Sequence, residues 1–90
     1  MTSNTSRTTL LKFSAPWCAP CRAMKPVVEK VLAEFLDIEY IDINIDEQPE
    51  MAVEHGIRSI PTLILVNDQG AKRLVGSATA EQVKEFLSQS

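Results

Sequence analysis

Two cysteines, Cys18 and Cys21, stand two residues apart between a run that reads as a strand and a run that reads as a helix. No other feature of the chain constrains its fold as much. Upstream, Thr8–Ser14 is rich in β-branched and apolar residues, as strands are. Downstream, Met24, Val27, Val28, Val31 and Phe35 recur at helical spacing and define one apolar face. Pro20 suits a first helical turn, where a missing N–H costs nothing. Pro26 falls inside the pattern and predicts a kink. A C-x-x-C is also half of a common zinc site. A closed zinc site takes four ligands, and beyond this pair the chain has no cysteine and a single histidine, His55. Three readings follow: a redox dithiol, two inert buried thiols, or ligands to a metal shared between two chains. The strand-to-helix setting favours the first.

The rest of the chain places this junction in one small domain of 90 residues. Residues 1–7 read as a disordered lead-in and 8–90 as a single domain. Ile38–Asn44 is a second expected strand. Asp46 is the expected N-cap of a short helix over 47–55, stopped by Gly56. Residues 61–66 form a strongly apolar third strand. Asn67-Asp68-Gln69-Gly70 is a turn cluster that leads into a fourth strand over 71–75. Thr79 and Gln82 fit a capping box, and Val83, Phe86 and Leu87 give the last helix its apolar face. The order β-α-β-α-β-β-α implies an α/β fold with a mixed four-stranded sheet and helices on both faces.

Composition excludes some functions. Hydrophobic residues make up 44% of the chain and charged residues 23%, and the net charge of −3 comes without a basic run. Electrostatics therefore give no support to nucleic-acid binding. No apolar run reaches membrane-spanning length, and the polar first nine residues lack the apolar stretch of a secretory signal. These readings point to the cytoplasm, where dithiols are kept reduced and a disulfide is transient and catalytic.

Disulfide exchange needs a thiolate, so the attacking cysteine must have a lowered pKa. A helix N-terminus supplies this through unpaired N–H groups and the positive end of its dipole. Cys18 falls there and, coming first, is the more exposed. Cys21 lies one turn inward. This order makes Cys18 the attacking thiol and Cys21 the resolving thiol, which breaks the mixed disulfide with a substrate.

The W-C-x-P-C motif at 17–21, Pro26, the stretch Gly56-Ile57-Arg58-Ser59-Ile60-Pro61-Thr62 and the late Gly76 occur in the order and spacing of the thioredoxin family. The chain resembles that family over residues 8–88. The resemblance implies a thioredoxin fold and a protein-disulfide reductase working through a redox-active Cys18–Cys21 disulfide. It also implies recycling by a thioredoxin reductase that carries flavin and uses NADPH. No G-x-G-x-x-G fingerprint occurs in this chain, so the expectation is that it binds no cofactor itself. Disulfide-containing proteins are the implied substrates, with ribonucleotide reductase a candidate by family alone, and a monomer is expected. By the same resemblance Pro61 follows a cis peptide bond and packs against the dithiol. Pro20 and Pro61 would tune the thiols. Trp17, Ala19, Pro20, Ile60, Pro61 and Gly76 would form an apolar rim where an extended substrate segment bonds to the Ile60 backbone.

Four departures from the family pattern stand out. By the resemblance, the family's opening strand and helix are expected to be shortened or absent here. Ala19 replaces a glycine, and Ser14 stands where a second tryptophan is common. A buried charge pair is reversed: the family carries an aspartate six residues before the first cysteine and a lysine on the next strand, whereas this chain has Lys12 and Asp42. Exchanging both partners keeps the site neutral. The resemblance then implies an inverted Lys12–Asp42 pair behind Cys21; the alternative is that Lys12 snorkels to solvent and Asp42 is a surface charge. A protonated lysine cannot take the Cys21 proton, but it stabilises a nearby thiolate, so Lys12→Met should raise the thiol pKa and make the couple more reducing. Two other functions compete. One is a glutaredoxin-like enzyme recycled by glutathione, favoured by the short chain and opposed by Ala19-Pro20, Trp17 and the lone Gly76. The other is a binding subunit that uses the same surface without redox turnover.

Overall fold

Near-continuous apolar runs mark the two central strands, because both faces of the sheet are covered. The structure, a computed structural model, describes residues 7–89. All but Arg7 of the expected lead-in therefore lies outside the described residues. The elements are β1 (Thr8–Ser14), α1 (Ala19–Leu32), β2 (Ile38–Asn44), α2 (Pro49–Glu54), β3 (Thr62–Asn67), β4 (Gly70–Val75) and α3 (Ala80–Leu87). The sheet order is β2-β1-β3-β4. β1 runs parallel to β2 and antiparallel to β3, and β3 forms the hairpin with β4. This is the mixed sheet that the element order implied.

Alternation along the central strands sends side chains to two separate cores. On one face Leu10, Leu63 and Leu65 meet Met24, Val28 and Val31 of α1 and Val83, Phe86 and Leu87 of α3. On the other, Leu11, Phe13, Ile43 and Ile64 pack with Met51 of α2 and with Ile57 and Ile60 of the loop before β3. α1 ends at Leu32, so Phe35 falls beyond the helix. It still packs against the first core. Thr79 and Gln82 make the expected capping box: the Gln82 N–H donates to Thr79 Oγ1 at 3.1 Å, and the Thr79 N–H donates to Gln82 Oε1 at 2.8 Å.

The start of α2 corrects the sequence reading. Its N-cap is Gln48, with no side-chain bond, and Asp46 does not cap it. The cause is Pro49, whose ring excludes the preceding residue from helical geometry. Gln48 accordingly sits at φ −131°, ψ 63°, so the helix cannot begin at 47. The far end is as expected, with His55 as C-cap and Gly56 in the left-handed region at φ 64°.

Candidate active site

Cys18 closes the loop that carries the chain from β1 into α1. Its own N–H donates to the Ala15 carbonyl at 3.1 Å, which turns the chain sharply. Extended backbone (φ −91°, ψ 103°) makes Cys18 the N-cap of α1, and Pro20 occupies the first turn, where its lost donor is not missed. The cap role falls to sulfur: Cys18 Sγ accepts the Cys21 N–H at 3.3 Å. No acidic residue lies in the first turn of α1, so nothing there cancels the positive end of the helix dipole. The two cysteines are joined as a disulfide, with Cα atoms 5.2 Å apart. Cys18 is 6% exposed and Cys21 1%, the order expected for an outer and an inner sulfur.

The loop before β3 supplies the opposite wall. The Ile60–Pro61 peptide is cis. Ile60 packs on the cluster of Ala15, Cys18 and Cys21, and its carbonyl lies 4.0 Å from Cys18 Sγ. The Gly76 N–H donates to the Pro61 carbonyl at 2.8 Å, which ties the end of β4 to this wall. Gly76 has φ 91°, a conformation that suits glycine. Ala19 and Pro20 are exposed beside Cys18. Trp17 is 65% exposed yet anchored, because its Nε1–H donates to Asp46 Oδ2 at 2.9 Å. The carboxylate expected to cap α2 is thus engaged by the tryptophan. Sequence reading missed this role, since no local signal links residues 29 apart.

Lys12 and Asp42 are neighbours in the parallel register of β1 and β2. Lys12 Nζ lies 3.7 Å from Asp42 Oδ2, and the Ser14 hydroxyl donates to Asp42 Oδ1 at 3.0 Å. The pair is only half buried: Lys12 is 2% exposed, but the Asp42 side chain is 35% exposed because β2 is an edge strand. Lys12, Asp42 and Cys21 line one cavity, together with Arg22 and Lys25 of α1. Those two α1 cations were not singled out in the sequence, although they follow Cys21 at positions one and four residues on.

Burial lowers the Lys12 pKa, opposed by Asp42 and Glu29 and reinforced by Lys25. Tyr40, also on β2, is shifted up from its ordinary value of 10.0, first by burial and then by Asp42 and Glu29. These shifts have opposite signs for stability. Unfolded Lys12 holds its proton up to its ordinary 10.5, whereas the folded chain releases it earlier, so stability rises with pH in the window below 10.5. Unfolded Tyr40 ionises at about 10.0 and folded Tyr40 later, so stability falls above that pH. Denaturant titrations across the alkaline range should therefore show a rise that Lys12→Met removes and a later fall that Tyr40→Phe removes.

Among the described residues, no group of three or more His, Cys, Asp or Glu is placed to hold a metal, and no helix is long and apolar enough to cross a membrane. Fold and site together define a class: a mixed four-stranded α/β domain with a cysteine pair capping its first long helix beside a cis-proline. A family model described as Thioredoxin matches residues 2–89, and the chain belongs to that family. It is 43% identical over 70 residues to thioredoxin 1 of Synechococcus elongatus, covering 76% of this chain and 65% of the relative. It is 37% identical over 82 residues to the thioredoxin of Haemophilus influenzae, covering 89% and 77%. A solved mutant thioredoxin from Halobacterium salinarum superposes with a TM-score of 0.83 at 34% identity, over 92% of this chain and 74% of that one. The chain thus spans just under two thirds of the cyanobacterial relative's length.

Proposed function

We propose that this protein reduces disulfides in other proteins through the Cys18–Cys21 dithiol. The carrying observation is the Cys21 N–H pointing at Cys18 Sγ from the first turn of α1. That bond, with the helix dipole behind it, favours Cys18 as a thiolate. The thiolate attacks one sulfur of a substrate disulfide, forms a mixed disulfide and expels the other substrate sulfur as a thiolate, which takes a proton from water. Cys21 then gives its proton back to solvent, replacing the one the first leaving thiolate took, and attacks Cys18 Sγ. The intramolecular disulfide forms and the second substrate sulfur leaves, so two electrons have passed to the substrate.

The surrounding residues take roles in this scheme. Trp17, Ala19, Ile60, Pro61 and Gly76 form the rim that receives an extended substrate segment, and Pro20 and Pro61 shape the thiol surroundings. Lys12, sharing a cavity with Cys21, favours the thiolate needed in the resolving step, and Asp42 tempers that effect. A flavin-containing thioredoxin reductase returns the electrons from NADPH, and a cytoplasmic monomer suits this cycle. The test is reduction of insulin disulfides by NADPH with a thioredoxin reductase, run beside glutathione with its own reductase. Turnover in the first system supports the proposal. Turnover only with glutathione, or binding without turnover, overturns it.

A further inference from the structure

The cavity on the Cys21 side of α1 is distinct from the rim around Cys18. Its volume is about 370 Å³, and its wall includes Lys12, Ser14, Arg22, Lys25 and Asp42. Three cations and one carboxylate meet there in a chain whose net charge is −3. Asp42 is already engaged, since Lys12 Nζ stands 3.7 Å away and the Ser14 hydroxyl donates to it. Two positive charges, on Arg22 and Lys25, are left without a carboxylate partner among the described residues. Lys25 makes no ion pair within 4.0 Å there, and Arg22 directs one Nη1 donor to the Pro16 carbonyl at 2.7 Å. That bond ties the guanidinium to Pro16, another residue of the cavity wall, and leaves its other donors available. Lys12, almost wholly buried, adds a cation that solvent screens weakly.

We infer that this cavity binds a small doubly charged oxyanion of the phosphate class, held by Arg22 and Lys25 with Lys12 in its wall. Charge matching selects the dianion: two uncompensated cations are balanced by one such ion, whereas a chloride or a carboxylate leaves one cation unmatched. The forked donors of a guanidinium fit tetrahedral oxyanions. Asp42 is the one opposing group in the wall, and its ion pair with Lys12 offsets it.

The test titrates inorganic phosphate into the disulfide form by calorimetry near pH 8, with chloride holding ionic strength constant. Neither thiol chemistry nor a reductase takes part, so the result stands apart from that for the proposed function. Saturable binding of one phosphate per chain is expected. Lys25→Gln and Arg22→Gln, both at exposed positions, should each weaken it roughly tenfold, the loss of about one charge-assisted bond. Lys30→Gln, further along α1 and outside the cavity, should leave it unchanged. Absence of saturable binding overturns the inference. So does binding that survives both cavity substitutions, or acetate binding as tightly as phosphate.

Discussion

Cys18→Ser is expected to abolish insulin-disulfide reduction, bringing the rate down to that of the uncatalysed control. Serine keeps the cap geometry, because an oxygen can accept the Cys21 N–H in place of sulfur. The fold should therefore survive, and the loss can be read as chemistry. Cys21→Ser should fail differently. Its Cys18 still attacks, but nothing inside the chain breaks the mixed disulfide, so substrate proteins accumulate as covalent adducts that dithiothreitol releases. Adducts on both variants, or on neither, would contradict the assigned order of attack. A binding subunit without redox turnover would instead show unchanged partner capture in Cys18→Ser and no reduction by the unaltered protein.

Lys12→Asp should carry the largest stability cost of any charge change in the molecule. It sets a second carboxylate against Asp42, at a position with almost no access to water. A cost of about 3 kcal/mol is expected, enough to lower Tm by more than about 10 °C in a domain this small. Asp42→Lys should cost less, about 1 kcal/mol, because that side chain is partly solvated and can turn outward. The double variant, Lys12→Asp with Asp42→Lys, restores an ion pair in the opposite sense and should recover most of the loss. Thermal melts of all four proteins form a double-mutant cycle. Additive losses would show that the two charges do not interact. The milder Lys12→Met removes the cation without adding repulsion. It should raise the thiol pKa and move the couple to a more reducing potential, whereas an unchanged potential would remove Lys12 from the thiol-tuning role.

Much of this architecture is written locally. β1, β2, the capping box of α3 and the glycine stop of α2 follow from patterns within a few residues, and the structure places them there. The dithiol at the head of α1 was legible for the same reason, since its geometry depends on a turn and one helical turn. The misreading of Asp46 shows the limit. A carboxylate ahead of a helical pattern looks like a cap, but Pro49 delays the helix and Trp17 claims the carboxylate from 29 residues away. The Lys12–Asp42 pair was reached through family resemblance, yet its uneven burial depends on β2 lying at the sheet edge, which follows from strand order. The cavity lined by Arg22 and Lys25 also needs the sheet beneath α1 and cannot be seen along the chain.

The most direct measurement is the rate of Cys18 alkylation in the reduced protein as a function of pH, with Cys21→Ser isolating the outer sulfur. An N-cap thiolate that accepts a backbone N–H should react fast at neutral pH and titrate well below the ordinary thiol value of about 8.5. A slow reaction with a midpoint near that ordinary value would mean that the helix end does not activate the sulfur, and the reductase mechanism would fall with it.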